Sequence, residues 1–319
     1  MTCNNAFAPD SSRTSALLEL VRTVAATGYR FTTVTPATHQ RVNARPDNAW
    51  ARGLRDVFGW SRRFDPAILP AGLFDLMQQA GVAARDGDGW LSRVRLSTLD
   101  GQLYLHSAYP TIDEHSVFFG PDTYRYADAI RQWLPTCTAA IRRAVDIGCG
   151  AGPGAIVVAL ATPEAQVWGV DINEGALALA RVNAVLAGAS NMTASRSDLL
   201  RDIEGEFDLI VANPPYLADP QERAYRHGGG PLGAGLSLAI IDAAIGRLAP
   251  GGTLLLYTGA AIIDGDDPLR NAAVERLSRA GLAWTYREMD PDIFGEELLN
   301  PAYAQTERLA AVVLTATKR

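Results

Sequence analysis

The 319-residue chain is poor in the residues that build cross-linked or metal-clustered sites. Its three cysteines, at 3, 137 and 149, are too few and too irregularly spaced for a disulfide framework or a zinc knuckle. Its four histidines (His39, His106, His115, His227) are scattered, with no HxxxH or HxH pair, so no metal site is expected. No apolar run reaches the roughly eighteen residues of a membrane-spanning helix. The opening MTCNNAFAPDSSR lacks the basic-then-apolar order of an export leader, and a cytoplasmic location is expected. Lys318 is the sole lysine, so arginine carries the rest of the positive charge.

What charge there is lies unevenly. Residues 1–110 hold 12 Arg against 9 Asp and Glu, a net of +3, and the remainder is −9. An acidic C-terminal part is not drawn to bulk phosphate backbone, which argues against tight nonspecific nucleic-acid binding. The length leaves room for one large α/β domain and one smaller domain.

The periodicity divides the chain in that way. From Ser11 to Ala26, the residues Ala16, Leu17, Leu20, Val21 and Val24 repeat at helical spacing. Shorter helices are expected near 47–58 and 70–80. An alternating run over 91–99, the turn Asp100-Gly101 and a second run over 102–109 read as a hairpin. Residues 1–110 are therefore expected to form a small helical, winged-helix-like α+β domain, a candidate for substrate recognition. The linking segment HSVFFGPDTYRYADAIRQWL turns at Gly120-Pro121 and then becomes helical. Its aromatics Phe119, Tyr124 and Tyr126 are candidate pocket residues, with plain core packing the competing role.

Residues 111–319 are expected to be the catalytic domain. Strands predicted at 144–147, 166–170, 191–195, 207–211 and 252–257 alternate with helices, which implies a parallel sheet covered on both faces. The runs at 282–289 and 308–315 have no long helix between them and fit an antiparallel pair at the sheet edge. Between them lies an added stretch, DPDIFGEELLNPAYAQ, at 290–305, a candidate substrate rim or a surface loop.

The first predicted strand runs into Val145-Asp146-Ile147-Gly148-Cys149-Gly150-Ala151-Gly152-Pro153-Gly154. Glycines at 148, 150 and 152 let backbone approach a ligand that side chains would exclude. Asp146 precedes the turn, where its carboxylate could accept from an amino group directly or through water. Asp171 ends the next strand, where it can bind both ribose hydroxyls. Asp198, after the third strand, is placed for an adenine amino group with Leu199 beside the ring, although a helix N-cap serves it equally well. NAD enzymes share the strand-end acid. Here, however, the spacing is G-x-G-x-G, and no hydride-transfer constellation accompanies it. The cofactor expected is S-adenosyl-L-methionine.

After the fourth strand comes Asn213-Pro214-Pro215-Tyr216. In open α/β sheets, ligands bind at the carboxyl ends of strands, which is where this motif falls. The Asn213 side-chain carbonyl and the Pro214 backbone carbonyl can each accept a hydrogen from an NH2 group, aiming its lone pair. Tyr216 can stack on the planar group that bears the nitrogen. Such chemistry needs no metal, because the protein mainly orients the nucleophile.

Residues 143–216 resemble the class I methyltransferases with an Asn-Pro-Pro-Tyr motif, and residues 115–319 are similar to HemK/PrmC-type "small domain" methyltransferases. The pieces VDIGCGAGPGA, VDIN, SDLL, VANPPYL and LAPGGTLLL, together with the glycine run over 228–235, carry the resemblance. It implies a Rossmann-like, mostly parallel seven-stranded sheet with an antiparallel last strand. It also implies that Asp146, Gly148, Gly150, Gly152, Asp171, Ile172, Asp198, Leu199 and Asn213 contact the cofactor or the methyl acceptor. Asn213, Pro214, Pro215 and Tyr216 would then receive a protein glutamine amide. The alternatives are an exocyclic nucleobase amine of RNA or DNA, a small-molecule amine, or a silent adenosylmethionine- or nucleic-acid-binding module. FFGPDTYRY differs from the family's usual Ile-Pro-Arg-Pro-Glu-Thr segment, and the N-terminal region differs from its helical bundle.

Overall fold

The computed structural model describes residues 11–111, 113, 115–223 and 225–319. Cys3 and the opening segment read above as no leader lie outside the described residues. The chain divides into two compact units. One comprises residues up to Arg125 together with 150–153 and 173–190. The other comprises 126–149, 154–172 and 191–319.

The N-terminal elements are α1 (Ser11–Ala26), α2 (Pro36–Asn43), α3 (Leu54–Phe58), α4 (Leu73–Gln79) and four short strands. β1 (Ala83–Asp86) pairs with β2 (Gly89–Ser92), and β3 (Val94–Leu99) pairs with β4 (Gln102–Ser107) about the Asp100-Gly101 turn. Asp100 has φ 52° and Gly101 φ 79°, the left-handed values that a tight hairpin turn demands. The run predicted as one strand over 91–99 is thus broken at Arg93, its start belonging to a separate hairpin. Alternation alone cannot show this, because both pieces keep the same period. Helix α2 was also not expected. Pro36 at its first turn and the Thr35 cap on the Thr38 N–H start it, with little apolar periodicity to announce it.

The remaining elements are α5 (Pro121–Trp133), β5 (Arg143–Ile147), α6 (Pro153–Ala161), β6 (Gln166–Asp171), α7 (Glu174–Ala187), β7 (Met192–Arg196), β8 (Phe207–Ala212), α8 (Gly235–Arg247), β9 (Leu248–Ile262), α9 (Pro268–Arg279), β10 (Ala283–Asp290) and β11 (Arg308–Thr317). Seven strands form one sheet in the order β10-β11-β9-β8-β5-β6-β7. β5, β6, β7, β8 and β9 run parallel, and β11 is antiparallel to both of its neighbours. This is the expected Rossmann-like sheet with an antiparallel last strand. Strand β9 runs through Gly259 to Ile262, five residues past the predicted end. A Thr-Gly pair reads as a strand stop, yet β11 pairs with β9 along its whole length, from Arg308↔Ile262 to Thr317↔Thr253.

Each unit has its own core. Leu20, Val21, Val24, Phe58, Leu73, Met77 and Leu96 pack with Ala176, Leu179 and Val182 of α7 in the first. There, Asn183 of α7 is fully buried. Its Oδ1 accepts the Leu105 N–H at 2.8 Å and its Nδ2 donates to Leu105 O at 3.0 Å, so the side chain pairs with β4 like a further strand residue. In the second, Val145, Ile147, Ile210, Ile241, Leu254, Leu256 and Leu314 fill the layers between sheet and helices. The near-continuous apolar runs of β5, β8 and β9 reflect a sheet buried on both faces.

Candidate functional site

The sheet order brings the chemistry-bearing residues to one edge. β5 lies between β8 and β6, so the chain winds outward through β6 and β7 and then returns to the other side of β5. That reversal is a topological switch point, where strand carboxyl ends diverge and leave a crevice. The register pairs Ile147 with Val170 and with Ala212. Gly148, Asp171 and Asn213 therefore follow side by side at the ends of three adjacent strands. Beyond them, the Ser197 N–H donates to Asp171 O at 3.1 Å, which sets Asp198 and Leu199 next in line after β7.

The glycine turn adopts the conformations its residues permit: Gly148, Gly150 and Gly152 have φ 68°, 54° and 85°. Asp146 anchors its approach. The Tyr126 hydroxyl donates to Oδ1 at 2.8 Å, and the Ala155 N–H at the start of α6 donates to Oδ2 at 2.9 Å. The carboxyl group is 1% exposed, and burial pushes its pKa up to about 7 against the opposing pull of those two donors. Gly154 lies against the same pair. A Cβ there would fall 2.5 Å from the Tyr126 ring and 2.7 Å from Asp146 Oδ2, so glycine is required by close approach.

Asp171 is half-buried at the end of β6, and Ile172 beside it is 54% exposed. Asp198 is exposed and ion-paired with Arg201, three residues on, and Leu199 adopts φ 55°. Of the aromatics singled out above, Phe119 and Tyr124 belong to the N-terminal unit. Phe119 is buried, stacked on His106 at 4.9 Å and edge-on to Tyr124 at 5.6 Å, and the Tyr124 hydroxyl accepts the Thr33 N–H at 3.0 Å. Tyr126 instead serves Asp146.

The Asn213–Tyr216 segment leaves β8 as an extended turn held by two further segments. Asn213 is half-buried, and none of the described residues hydrogen-bonds its side chain. The Tyr216 ring lies on Gly259 of β9: a Cβ there would come 2.2 Å from a ring carbon. The glycine run folds around the backbone of the same tyrosine. A Cβ on Gly233 would meet Tyr216 O at 2.2 Å, and one on Gly228 would meet Tyr216 Cα at 2.7 Å. The Leu217 N–H donates to Arg226 O and the Gly228 N–H donates to Leu217 O, closing the loop that follows.

The stretch 290–305 supplies the second hold. The Ala218 N–H donates to the Tyr303 hydroxyl at 2.8 Å, and Asn300 Nδ2 donates to Ala218 O at 2.6 Å. Arg226 pairs with Glu297, and the Phe294 ring stands 6.3 Å from the Tyr216 ring with its backbone at φ 50°. Asp219 is buried and gripped by Arg223 through two 2.7 Å bonds, which hold its pKa down to about 2. Residues 290–305 thus brace the candidate catalytic turn. Spacing could not reveal that, because the two segments are about eighty residues apart in the chain.

Residues 127–262 match the family model "Methyltransferase small domain". That span is similar to the methyltransferase small domain family. It runs from α5 through β9, so it contains the glycine turn, Asp171, Asp198 and the Asn213–Tyr216 turn. The release factor glutamine methyltransferase of Deinococcus radiodurans is 34% identical over 168 residues, covering 49% of this chain and 55% of that protein. A ribosomal protein uL3 glutamine methyltransferase of Xanthomonas campestris is 36% identical over 130 residues, 37% of this chain and 42% of its own length. The 4-amino-L-phenylalanine/4-methylamino-L-phenylalanine methyltransferase of Streptomyces pristinaespiralis is 31% identical over 157 residues, 46% and 51% respectively. The chain spans about half the length of the curated relatives it matches. No described helix is long and apolar enough to cross a membrane, and no three metal-binding side chains cluster among the described residues.

Proposed function

We propose that the protein transfers a methyl group from S-adenosyl-L-methionine to a planar nitrogen, with a protein glutamine side-chain amide as the acceptor. The observation that carries this reading is the placement of Asn213–Tyr216 at the carboxyl end of β8, beside the glycine turn that ends β5. The glutamine methyltransferases among the relatives favour the amide. The bound cofactor supplies an electrophilic sulfonium methyl. The chain's part is orientation. Asn213 Oδ1 and Pro214 O accept the two amide hydrogens and aim the nitrogen. With the cofactor supplying the methyl group, these two oxygens would hold the acceptor nitrogen towards it, and one of the two amide protons would pass to solvent once the nitrogen is methylated. Tyr216 is fixed by Gly259, so any stacking on the acceptor uses the ring face turned away from that glycine.

Asp171 would bind the ribose hydroxyls and Ile172 would cover one face of the adenine. Asp198 and Leu199 would meet its edge, with Arg201 exchanged for the adenine amino group. Asp146, whose two oxygens are already engaged, would act by holding the turn of Gly148, Gly150 and Gly152 in shape. Residues 1–110 are read as the recognition domain, residues 111–319 as the catalytic one, and the cytoplasm as the place of action. The Streptomyces relative makes an aromatic amine the second acceptor to try.

The test is transfer of labelled methyl from adenosylmethionine to candidate proteins, glutamine peptides and 4-aminophenylalanine, with wild type and Asn213→Ala side by side. Expected is label on a glutamine nitrogen, lost in Asn213→Ala while cofactor affinity persists. Equal turnover by the variant would remove the orienting role, and absence of adenosylmethionine binding would overturn the cofactor.

A further inference from the structure

The positive charge of the N-terminal unit is concentrated in one segment. Residues 30–63 hold seven Arg, two Asp and no Glu, a net of +5, whereas the rest of the chain sums to −11. Arg30, Arg41, Arg45, Arg52 and Arg55 are all exposed, and no guanidinium among them pairs with a carboxylate of a described residue. In the other unit, Arg131, Arg201, Arg276, Arg279 and Arg308 each meet an Asp or Glu. Paired surface charges largely cancel at a distance, whereas unpaired ones of one sign sum to a field that draws an anionic partner.

Hydrogen bonds knit this segment together. Asn43 Nδ2 of α2 donates to Trp60 O at 2.8 Å, and Arg62 Nε donates to Asn43 Oδ1 at 3.0 Å. Arg62 is 8% exposed and pairs with Asp56 at 2.6 Å, while the other Asp56 oxygen accepts the Arg52 N–H at 2.9 Å. Asp56 is thus occupied within the segment, and Asp47, the other acid, gives Arg52 Nη2 its backbone carbonyl. Burial pushes the Arg62 pKa down against the pull of Asp56, and Arg52 and Arg45 push it the same way, so these guanidinium groups stand close enough to repel. Trp50 lies in the same segment. The Ala51 N–H donates to Arg63 O at 2.7 Å, and the Arg63 guanidinium is 5.6 Å from the Trp50 ring centre. A Cβ on Gly89 would fall 2.8 Å from that ring, which is therefore seated on one side yet remains 38% exposed. An indole fixed among arginines is a platform on which a flat base can stack.

We propose that this surface binds single-stranded RNA, with Arg45, Arg52 and Arg55 meeting phosphates and the Trp50 ring stacking on a base. A duplex hides its base faces, so the exposed indole favours an unpaired strand, and unpaired strands in a cell are chiefly RNA. An acidic protein segment would meet the arginines but brings no flat base to the indole. The proposal is independent of which nitrogen the other unit methylates.

The experiment is fluorescence anisotropy of the full chain over a range of salt concentrations. The labelled probes are an oligouridylate of about 15 nucleotides, the deoxyuridine strand and RNA duplex of the same length, and poly-L-glutamate. Oligouridylate should bind at least as tightly as the deoxyuridine strand and more tightly than the duplex or polyglutamate. The triple variant Arg45→Gln, Arg52→Gln, Arg55→Gln should bind it roughly ten- to a hundredfold more weakly, with the slope of log affinity against log salt reduced by about two. Trp50→Leu keeps an apolar group on Gly89 but removes the flat face, and should weaken binding roughly five- to a hundredfold with the salt slope unchanged. Arg142→Gln, Arg270→Gln, Arg279→Gln takes the same charge from exposed positions of the other unit and should change affinity by less than about threefold. Four results would each overturn the assignment: no RNA binding, an equal loss in this second triple variant, undiminished affinity in the first or in Trp50→Leu, or a competing probe that breaks the expected order. Polyglutamate binding as tightly as RNA would point to an acidic protein instead.

Discussion

The Tyr126 hydroxyl donates a 2.8 Å hydrogen bond to Asp146 Oδ1, twenty residues along the chain and out of contact with bulk water. The bond ties α5 to the end of β5 at the point where the glycine turn begins. It leaves a carboxyl group whose ordinary pKa of 3.8 is raised to about 7, first by burial. Ionised Asp146 is tolerated because two donors meet it, and each withdrawn donor makes that ionisation harder.

A pH dependence follows. The folded state keeps the Asp146 proton that the unfolded chain releases near pH 4, so this group's contribution to stability is full below pH 4 and falls between about 4 and 7. Asp146→Asn, which cannot ionise, should flatten that fall by an amount on the order of a few kcal/mol. Urea unfolding of both proteins at pH 5 and pH 8 measures it. Parallel stability curves would show that the carboxyl group is already ionised at pH 5.

Tyr126→Phe removes one donor and little volume. A loss of about 1–3 kcal/mol in unfolding free energy is expected, larger at pH 8 than at pH 5, because only the ionised carboxylate needs the bond strongly. An equal loss at both values would show that the hydroxyl matters for packing alone.

Asp171→Ala should weaken adenosylmethionine binding roughly ten- to a hundredfold, as expected for two hydrogen bonds to a carboxylate. The side chain is half-buried at a strand end and outside the core, so the melting temperature without cofactor should change little. Calorimetric titration decides, and an unchanged dissociation constant would remove the ribose assignment.

Gly259→Ala places a methyl group 2.2 Å from the Tyr216 ring. The ring must move, at a cost of about 1–3 kcal/mol. Because the same ring terminates the Asn213–Tyr216 turn, kcat should fall further than cofactor affinity. A variant with normal kcat would show that the turn does not depend on the ring's seat.

Asn300→Ala leaves the Ala218 carbonyl without its 2.6 Å partner, and Tyr303→Phe deprives the Ala218 N–H of its acceptor. Either change should raise KM for the methyl acceptor while leaving adenosylmethionine affinity within about twofold, the pattern of a brace on the acceptor side. Equal losses for both ligands would instead indicate general loosening of the unit.

The strand–helix rhythm, the glycine turn and the motif at 213–216 were legible in the sequence because each rests on local physics. Apolar period marks buried strands, glycine alone tolerates the turn's backbone angles, and prolines punctuate wherever they stand. Asp171 was legible for the same reason, as an acid closing an apolar run. Other features needed the folded chain, because they join residues remote in sequence. Gly259 lies two residues past the strand predicted at 252–257, and only the fold shows the Tyr216 ring occupying the place of its missing side chain. The stretch 290–305 read equally as rim or surface loop, and only Tyr303 and Asn300 meeting Ala218 showed what it holds. Tyr126 read as a pocket or core aromatic, and neither reading contained the hydrogen bond that its buried hydroxyl donates to Asp146.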